Sequence, residues 1–166
     1  GAMKPIMLNY HSRPLTMVRF NREGDLMYSS AKDSKMFVAK TENGELIGVF
    51  MGHQGAIYAF DLTMDGQTIV SAGADGNVIF WEAQTGKQIH SLVHGGICKY
   101  VEWNQKPLSQ TKIVTCNDRF RSSEGEVKDR ICIWEYTTVH KNPDASSPEL
   151  ILTIDRRLPM KATKVG

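Results

Sequence analysis

The chain matches itself when displaced by 42 residues. That offset carries His11 onto His53, Gly24 onto Gly66, Ser29 onto Ser71, Asp33 onto Asp75, Gly44 onto Gly86 and Ile47 onto Ile89. A third unit opens at His94, 41 residues after His53. A fixed period of this length means that one supersecondary unit is copied along the chain, each copy burying its apolar surface against the next. The architecture is therefore decided unit by unit.

Within the second unit the apolar runs are short and evenly punctuated. Strands are expected at 56–62, 68–72, 78–82 and 87–92, separated by Thr63-Met64-Asp65-Gly66, Gly73-Ala74-Asp75-Gly76 and Gln84-Thr85-Gly86. Gly and Asp supply the positive φ and local side-chain bonds that tight hairpins require. The first unit repeats the plan at 15–20, 26–30, 35–40 and 45–51. A helical reading would put glycine inside nearly every turn and is rejected. The strands also lack a wet face: Ile57-Tyr58-Ala59-Phe60 and Val78-Ile79-Phe80-Trp81 are apolar on both sides. Such sheets must be covered on both faces.

Each unit opens near a His, as in Gly52-His53, and the second and third close their third strand on a Trp, as in Trp81-Glu82. With a period of ~40–45 residues this resembles the WD40 repeat, in which four-stranded antiparallel sheets stack as propeller blades. The fold class is thus all-β, an incomplete WD40 β-propeller of about three blades plus an N-terminal strand. The division expected is 1–2 as a protease-cleavage remnant, 3–10 as a closing strand, and 11–52 and 53–93 as blades 1 and 2. An irregular blade 3 occupies 94–155, and 156–166 begins a truncated blade 4. Blade 3 should contain strands at 97–103, 112–116, 131–135 and 149–154, a polar insertion at 117–128 and a loop at 137–148.

Four polar residues recur with the repeat. In WD40 blades a His before the inner strand, a Ser or Thr in the second, an Asp in the following turn and a Trp in the third form a hydrogen-bonded chain. Here that set is His53, Ser71, Asp75 and Trp81. The first unit offers His11, Ser29 and Asp33, with Ala39 where Trp is expected. The third offers His94, Thr115 and Trp134, with Asp118 in the turn position. Buried polar groups need partners, and a satisfied network pins strands and turn together. The competing reading of Ser71–His53–Asp75 is a hydrolase triad. It is disfavoured because an active site is not normally duplicated blade by blade, and no Gly-x-Ser-x-Gly turn surrounds Ser71.

Composition narrows the function classes further. No apolar run approaches the ~20 residues that span a bilayer. A net charge of +2 does not by itself argue for nucleic acid. Arg156, Arg157, Lys161 and Lys164 read as a solvated linker between blades, with direct RNA contact as the sharper alternative. Cys98, Cys116 and Cys132 are odd in number and form no C-x-x-C pair. Neither a disulfide framework nor a zinc site follows, and the compartment expected is reducing. Arg119-Phe120-Arg121-Ser122-Ser123 reads as an exposed loop.

Finer features are similar to one WD40 family, the i subunit of eukaryotic translation initiation factor 3. They are Met3-Lys4-Pro5-Ile6-Met7-Leu8, Phe20-Asn21-Arg22-Glu23-Gly24-Asp25-Leu26, Ala31-Lys32-Asp33, Glu42-Asn43-Gly44-Glu45-Leu46-Ile47-Gly48, Phe50-Met51-Gly52-His53 and Glu82-Ala83-Gln84-Thr85-Gly86-Lys87-Gln88. The resemblance is strong from Met3 to about Leu92 and weaker beyond. It implies the amino-terminal part of a propeller of about seven blades, within the usual range. It also implies that residues 5–9 supply the outer strand of the last blade. By the same resemblance the protein is a cytoplasmic, non-enzymatic scaffold without cofactor or metal. It would pair with the b and g subunits during assembly on the small ribosomal subunit. Another WD40 adaptor, in a signalling complex, is the alternative. Uncovered blade faces or strand edges further imply self-association of this chain.

Overall fold

The computed structural model describes residues 3–105, 112–118, 120–122, 125–127, 130–139 and 149–158. Every regular element among them is a strand. The first sheet contains β1 (Leu15–Phe20), β2 (Leu26–Ala31), β3 (Lys35–Lys40) and β4 (Leu46–Met51), antiparallel and in chain order. The second repeats this with β5 (Ile57–Leu62), β6 (Thr68–Gly73), β7 (Asn77–Glu82) and β8 (Gln88–Val93). The third contains β9 (Cys98–Trp103), β10 (Lys112–Asn117), β13 (Arg130–Val139) and β14 (Glu149–Leu158). A two-stranded hairpin, β11 (Phe120–Ser122) with β12 (Gly125–Val127), interrupts it.

The sheets stack face to face, and the middle one explains why. Its β7 residues Val78, Ile79, Phe80 and Trp81 are all buried. Ile57, Phe60, Ile69, Ile79 and Trp81 pack with Tyr28, Met36, Val38 and Phe50 of the first sheet. The alternate set, Ala59, Val70, Ala72, Val78 and Phe80, packs with Val101, Trp103, Ile113 and Trp134 of the third. One four-stranded sheet thus serves two cores, as the two-sided apolar pattern requires. Among the described residues the sheets do not close into a ring.

Turn chemistry keeps the hairpins in register. Gly24 and Gly66, at φ +78 and +69, occupy corresponding tight turns between the first two strands of their sheets. Their amides donate to Asn21 and Thr63 carbonyls. Gly76 sits at φ +78 between β6 and β7, whereas the matching residue of the first sheet is Ser34 at φ 67.

Several boundaries differ from expectation. Residues 3–10 form no strand. A strand exists only against a ladder partner, and this segment instead crosses the first sheet, with Ile6 and Leu8 near Gly44 and the Tyr10 hydroxyl donating to the Gly44 carbonyl. The expected polar insertion contains the β11–β12 hairpin, and Asn117 belongs to β10. The third strand runs past Glu135 to Val139, shortening the loop expected at 137–148; residues 140–148 lie outside the described residues. Most notably, β14 continues to Leu158, with Cys132 opposite Arg157 and Ile133 opposite Arg156. Arg156 and Arg157 are therefore strand residues rather than a linker or the start of a fourth unit, because the ten-residue β13 provides ladder partners that far. Lys161, Lys164 and the rest of 159–166 lie outside the described residues.

Candidate functional site

The repeated polar residues are brought together. His53 precedes β5, Ser71 lies in β6, Asp75 in the β6–β7 turn and Trp81 in β7. His53 Nε2 is 2.7 Å from Ser71 Oγ, and its Nδ1 is 3.0 Å from Asp75 Oδ2. Trp81 Nε1 donates to the same Ser71 oxygen at 2.8 Å. The Gln54 and Asn77 amides donate to the Asp75 carboxylate at 2.8 and 3.1 Å.

Donor and acceptor roles follow. An ionised Asp75 only accepts, so Nδ1 of His53 carries the proton and Nε2 accepts from the Ser71 hydroxyl. Ser71 Oγ in turn accepts the Trp81 N–H, giving an unbroken relay from indole to carboxylate. Burial pushes the Asp75 carboxyl upward, but the His53 ring and the Gln54 and Asn77 amides outweigh it and hold it at about 2.

The first sheet keeps three members. His11 Nε2 lies 2.8 Å from Ser29 Oγ and Nδ1 lies 2.9 Å from Asp33 Oδ2. The Ser12 and Lys35 amides also donate to Asp33, each at 3.1 Å. Burial raises the Asp33 carboxyl, and the His11 ring with these amides brings it below the usual range. Ala39 stands in register with Met27, as Trp81 does with Ile69. In the third sheet, His94 Nε2 and Trp134 Nε1 meet Thr115 Oγ1 at 2.7 and 2.8 Å. Asp118 has a different partner from the one expected: its carboxylate pairs with Lys99 Nζ at 3.7 Å. The irregular β10–β13 connection displaces it from the tight turn that Asp75 occupies.

Ser71, His53 and Asp75 have the hydrogen-bond order of a hydrolase triad. What separates them from one is access. Ser71 is 0% exposed, and its oxygen already accepts the indole N–H. Among the described residues no group of three His, Cys, Asp or Glu side chains has metal-site geometry.

A second polar centre had no counterpart in the motif reading. Asp61, on the inner strand β5, is almost fully buried. Its Oδ2 accepts the Trp103 amide at 2.8 Å and Gln105 Nε2 at 3.2 Å. Its Oδ1 accepts the Leu62 amide at 2.9 Å and pairs with Arg19 Nη1 at 3.3 Å. Arg19, Asp61 and Trp103 are successive members of the 42-residue repeat, so one carboxylate ties the inner strands of all three sheets. Burial drives its carboxyl above the usual range, against the pull of the Trp103 amide and Arg19. The signal in the sequence was a lone Asp within an apolar inner strand, one period after an Arg.

Comparison with known proteins agrees with this geometry. Residues 44–82 match the family described as WD domain, G-beta repeat. The chain is 36% identical over 125 residues to "Eukaryotic translation initiation factor 3 subunit I" of Schizosaccharomyces pombe, covering 75% of this chain and 37% of that protein. It is 48% identical over 92 residues to the protein of that name from Caenorhabditis briggsae, covering 55% and 28%. The human protein of that name is 41% identical over 90 residues, covering 54% and 28%. The chain thus spans between 28% and 37% of the length of these relatives. Among solved structures, the Myceliophteria thermophila Cps50 (Swd1) β-propeller domain superposes with TM-score 0.64 at 19% identity, over 86% of this chain and 39% of that one; this likeness speaks to fold alone. Identity at this level, carried on sheets that stack as propeller blades do, makes the chain a member of the WD40-repeat family and a homologue of eukaryotic translation initiation factor 3 subunit I.

Proposed function

We propose that the chain works as a non-catalytic scaffold in the translation initiation factor 3 complex, pairing with its b and g subunits in the cytoplasm as the complex assembles on the small ribosomal subunit. The observation that carries this reading is the 36% identity over 125 residues to a relative named as a subunit of that factor. The site chemistry supports the non-catalytic part. His11 and His53 each spend both ring nitrogens on a serine hydroxyl and an aspartate carboxylate, as His53 does on Ser71 and Asp75. A network consumed internally holds blades in shape and leaves recognition to loops and edges on a rigid frame.

Affinity purification of the tagged chain from eukaryotic cell extract tests the reading. Recovery of initiation-factor subunits, b and g among them, is the expected result. Recovery of signalling components without initiation factors would replace it with the adaptor reading. We also propose that the chain self-associates through uncovered blade faces or strand edges such as β4, where Leu46, Ile47 and Met51 are exposed. A monodisperse monomer in sedimentation at tens of micromolar would overturn that.

A further inference from the structure

The packed boundary between the first two sheets carries a groove that the repeated polar network does not use. One wall is β4, with Ile47 and Val49, and the other is formed by turns of the second sheet at 65–66 and 84–86. It measures about 320 Å³, at the small end of ligand sites. Both walls belong to sheets that already pack on each other, so a further sheet stacked outside the pair leaves the groove open. At its inner end stands Tyr28, 3% exposed, its ring against Phe50 and Phe60 at centroid distances of 6.2 and 6.4 Å. Among the described residues nothing hydrogen-bonds the Tyr28 hydroxyl, which faces the groove. A polar group at that depth calls for a partner.

The charge of the groove has one sign. Glu23 and Asp65, one 42-residue period apart, stand at its rim on matching turns of the two sheets. Among the described residues the turn bonds of Asp65 all use Oδ1, from Thr63 Oγ1 at 2.6 Å and the Gln67 amide at 3.0 Å, leaving Oδ2 unspent. Glu23 Oε2 meets Asn21 Nδ2 at 3.4 Å. The remaining polar lining, Asn21, Gln84 and Thr85, is uncharged, and among the described residues no lysine or arginine lines the groove. Of the cations nearby in sequence, Arg22 lines a separate recess and Lys40 pairs with Glu45 at 2.8 Å. Two carboxylates and a phenol oxygen complement a planar cation with several fixed N–H donors, and the Leu26, Ile47 and Val49 wall suits its methylene stem. We propose that the groove is a docking site for an arginine side chain of a partner polypeptide, its guanidinium donating to Glu23, Asp65 and Tyr28 Oη. The site does not depend on which complex the chain joins.

The test follows the Ile47 and Val49 methyl signals by NMR as N-acetyl-L-argininamide is added to the whole chain. Saturable shifts are expected. N-acetyl-L-lysinamide should bind about tenfold more weakly, because a point charge cannot span both carboxylates and the phenol. Glu23→Gln with Asp65→Asn should weaken the arginine amide about tenfold, the asparagine keeping the Oδ1 turn bonds. Tyr28→Phe should weaken it about fivefold while leaving the urea unfolding midpoint unchanged, since the lost hydroxyl has no partner within the described residues. The proposal is overturned if the arginine amide causes no saturable shift, if the lysine amide binds equally, or if Tyr28→Phe binds as the parent does. Guanidinium ion alone binding as tightly as the arginine amide would overturn the polypeptide source.

Discussion

Asp61 accepts the Trp103 backbone amide at 2.8 Å across the boundary between the second and third sheets. The same carboxylate reaches Arg19 of the first sheet at 3.3 Å. A buried charge is tolerable only when its lone pairs are occupied, and here four donors from three sheets occupy them. Asp61→Ala should therefore cost about 3 kcal/mol, since it strands the Trp103 and Leu62 amides. Arg19→Ala should cost no more than about 1 kcal/mol, because Arg19 is partly solvated. Urea unfolding monitored by tryptophan fluorescence checks the order; a larger loss for Arg19→Ala would refute the assignment of Asp61 as the hub.

The indole relay makes a separate prediction. Trp81→Phe keeps most of the ring but removes the N–H that Ser71 accepts, and should cost about 1–2 kcal/mol. Ser71→Ala should cost about as much, and the double variant less than the sum, because both changes cut one link. A double-mutant cycle reads this directly. Consistent with Ser71 being sealed, a fluorophosphonate probe should leave the native chain unlabelled; labelling that disappears in Ser71→Ala would contradict the structural role.

Acid sensitivity should track the His–Asp pairs. The Asp75 carboxyl is held at about 2, below its ordinary 3.8, so its contribution is full above pH ~4 and is lost as pH falls towards 2. The amount at stake is about 2 kcal/mol. Asp61 works in the opposite sense: its raised pKa means that ionisation costs stability as pH rises through the folded-state value. Stability measured from pH 5 to 2 should fall less steeply in Asp75→Asn than in the parent. An unchanged slope would show that Asp75 is not the group responsible.

Ser34 holds the left-handed turn conformation that Gly76 holds in the second sheet. A side chain there costs about 1 kcal/mol, partly offset by the greater unfolded-state freedom of glycine. Ser34→Gly should therefore stabilise the chain by about 0.5 kcal/mol, whereas Gly76→Ala, whose Cβ would stand 3.2 Å from the Gly96 carbonyl oxygen, should destabilise it. Paired thermal melts decide the signs.

Much of this protein is legible in its sequence. The 42-residue period, the turn glycines and the two-sided apolar strands determine four-stranded sheets that must stack, because hairpin geometry and burial are properties of local pattern. The grouping of His53, Ser71, Asp75 and Trp81 was legible through the resemblance to WD40 blades, whose polar set recurs here with the 42-residue repeat. Tertiary structure alone decided the rest. Asp61 looks like an isolated charge until three inner strands converge on it, and β14 runs to Leu158 only because β13 offers a ladder that far. Residues 3–10 lie near Gly44 without joining a ladder, and a strand is a relation between two segments and not a property of one.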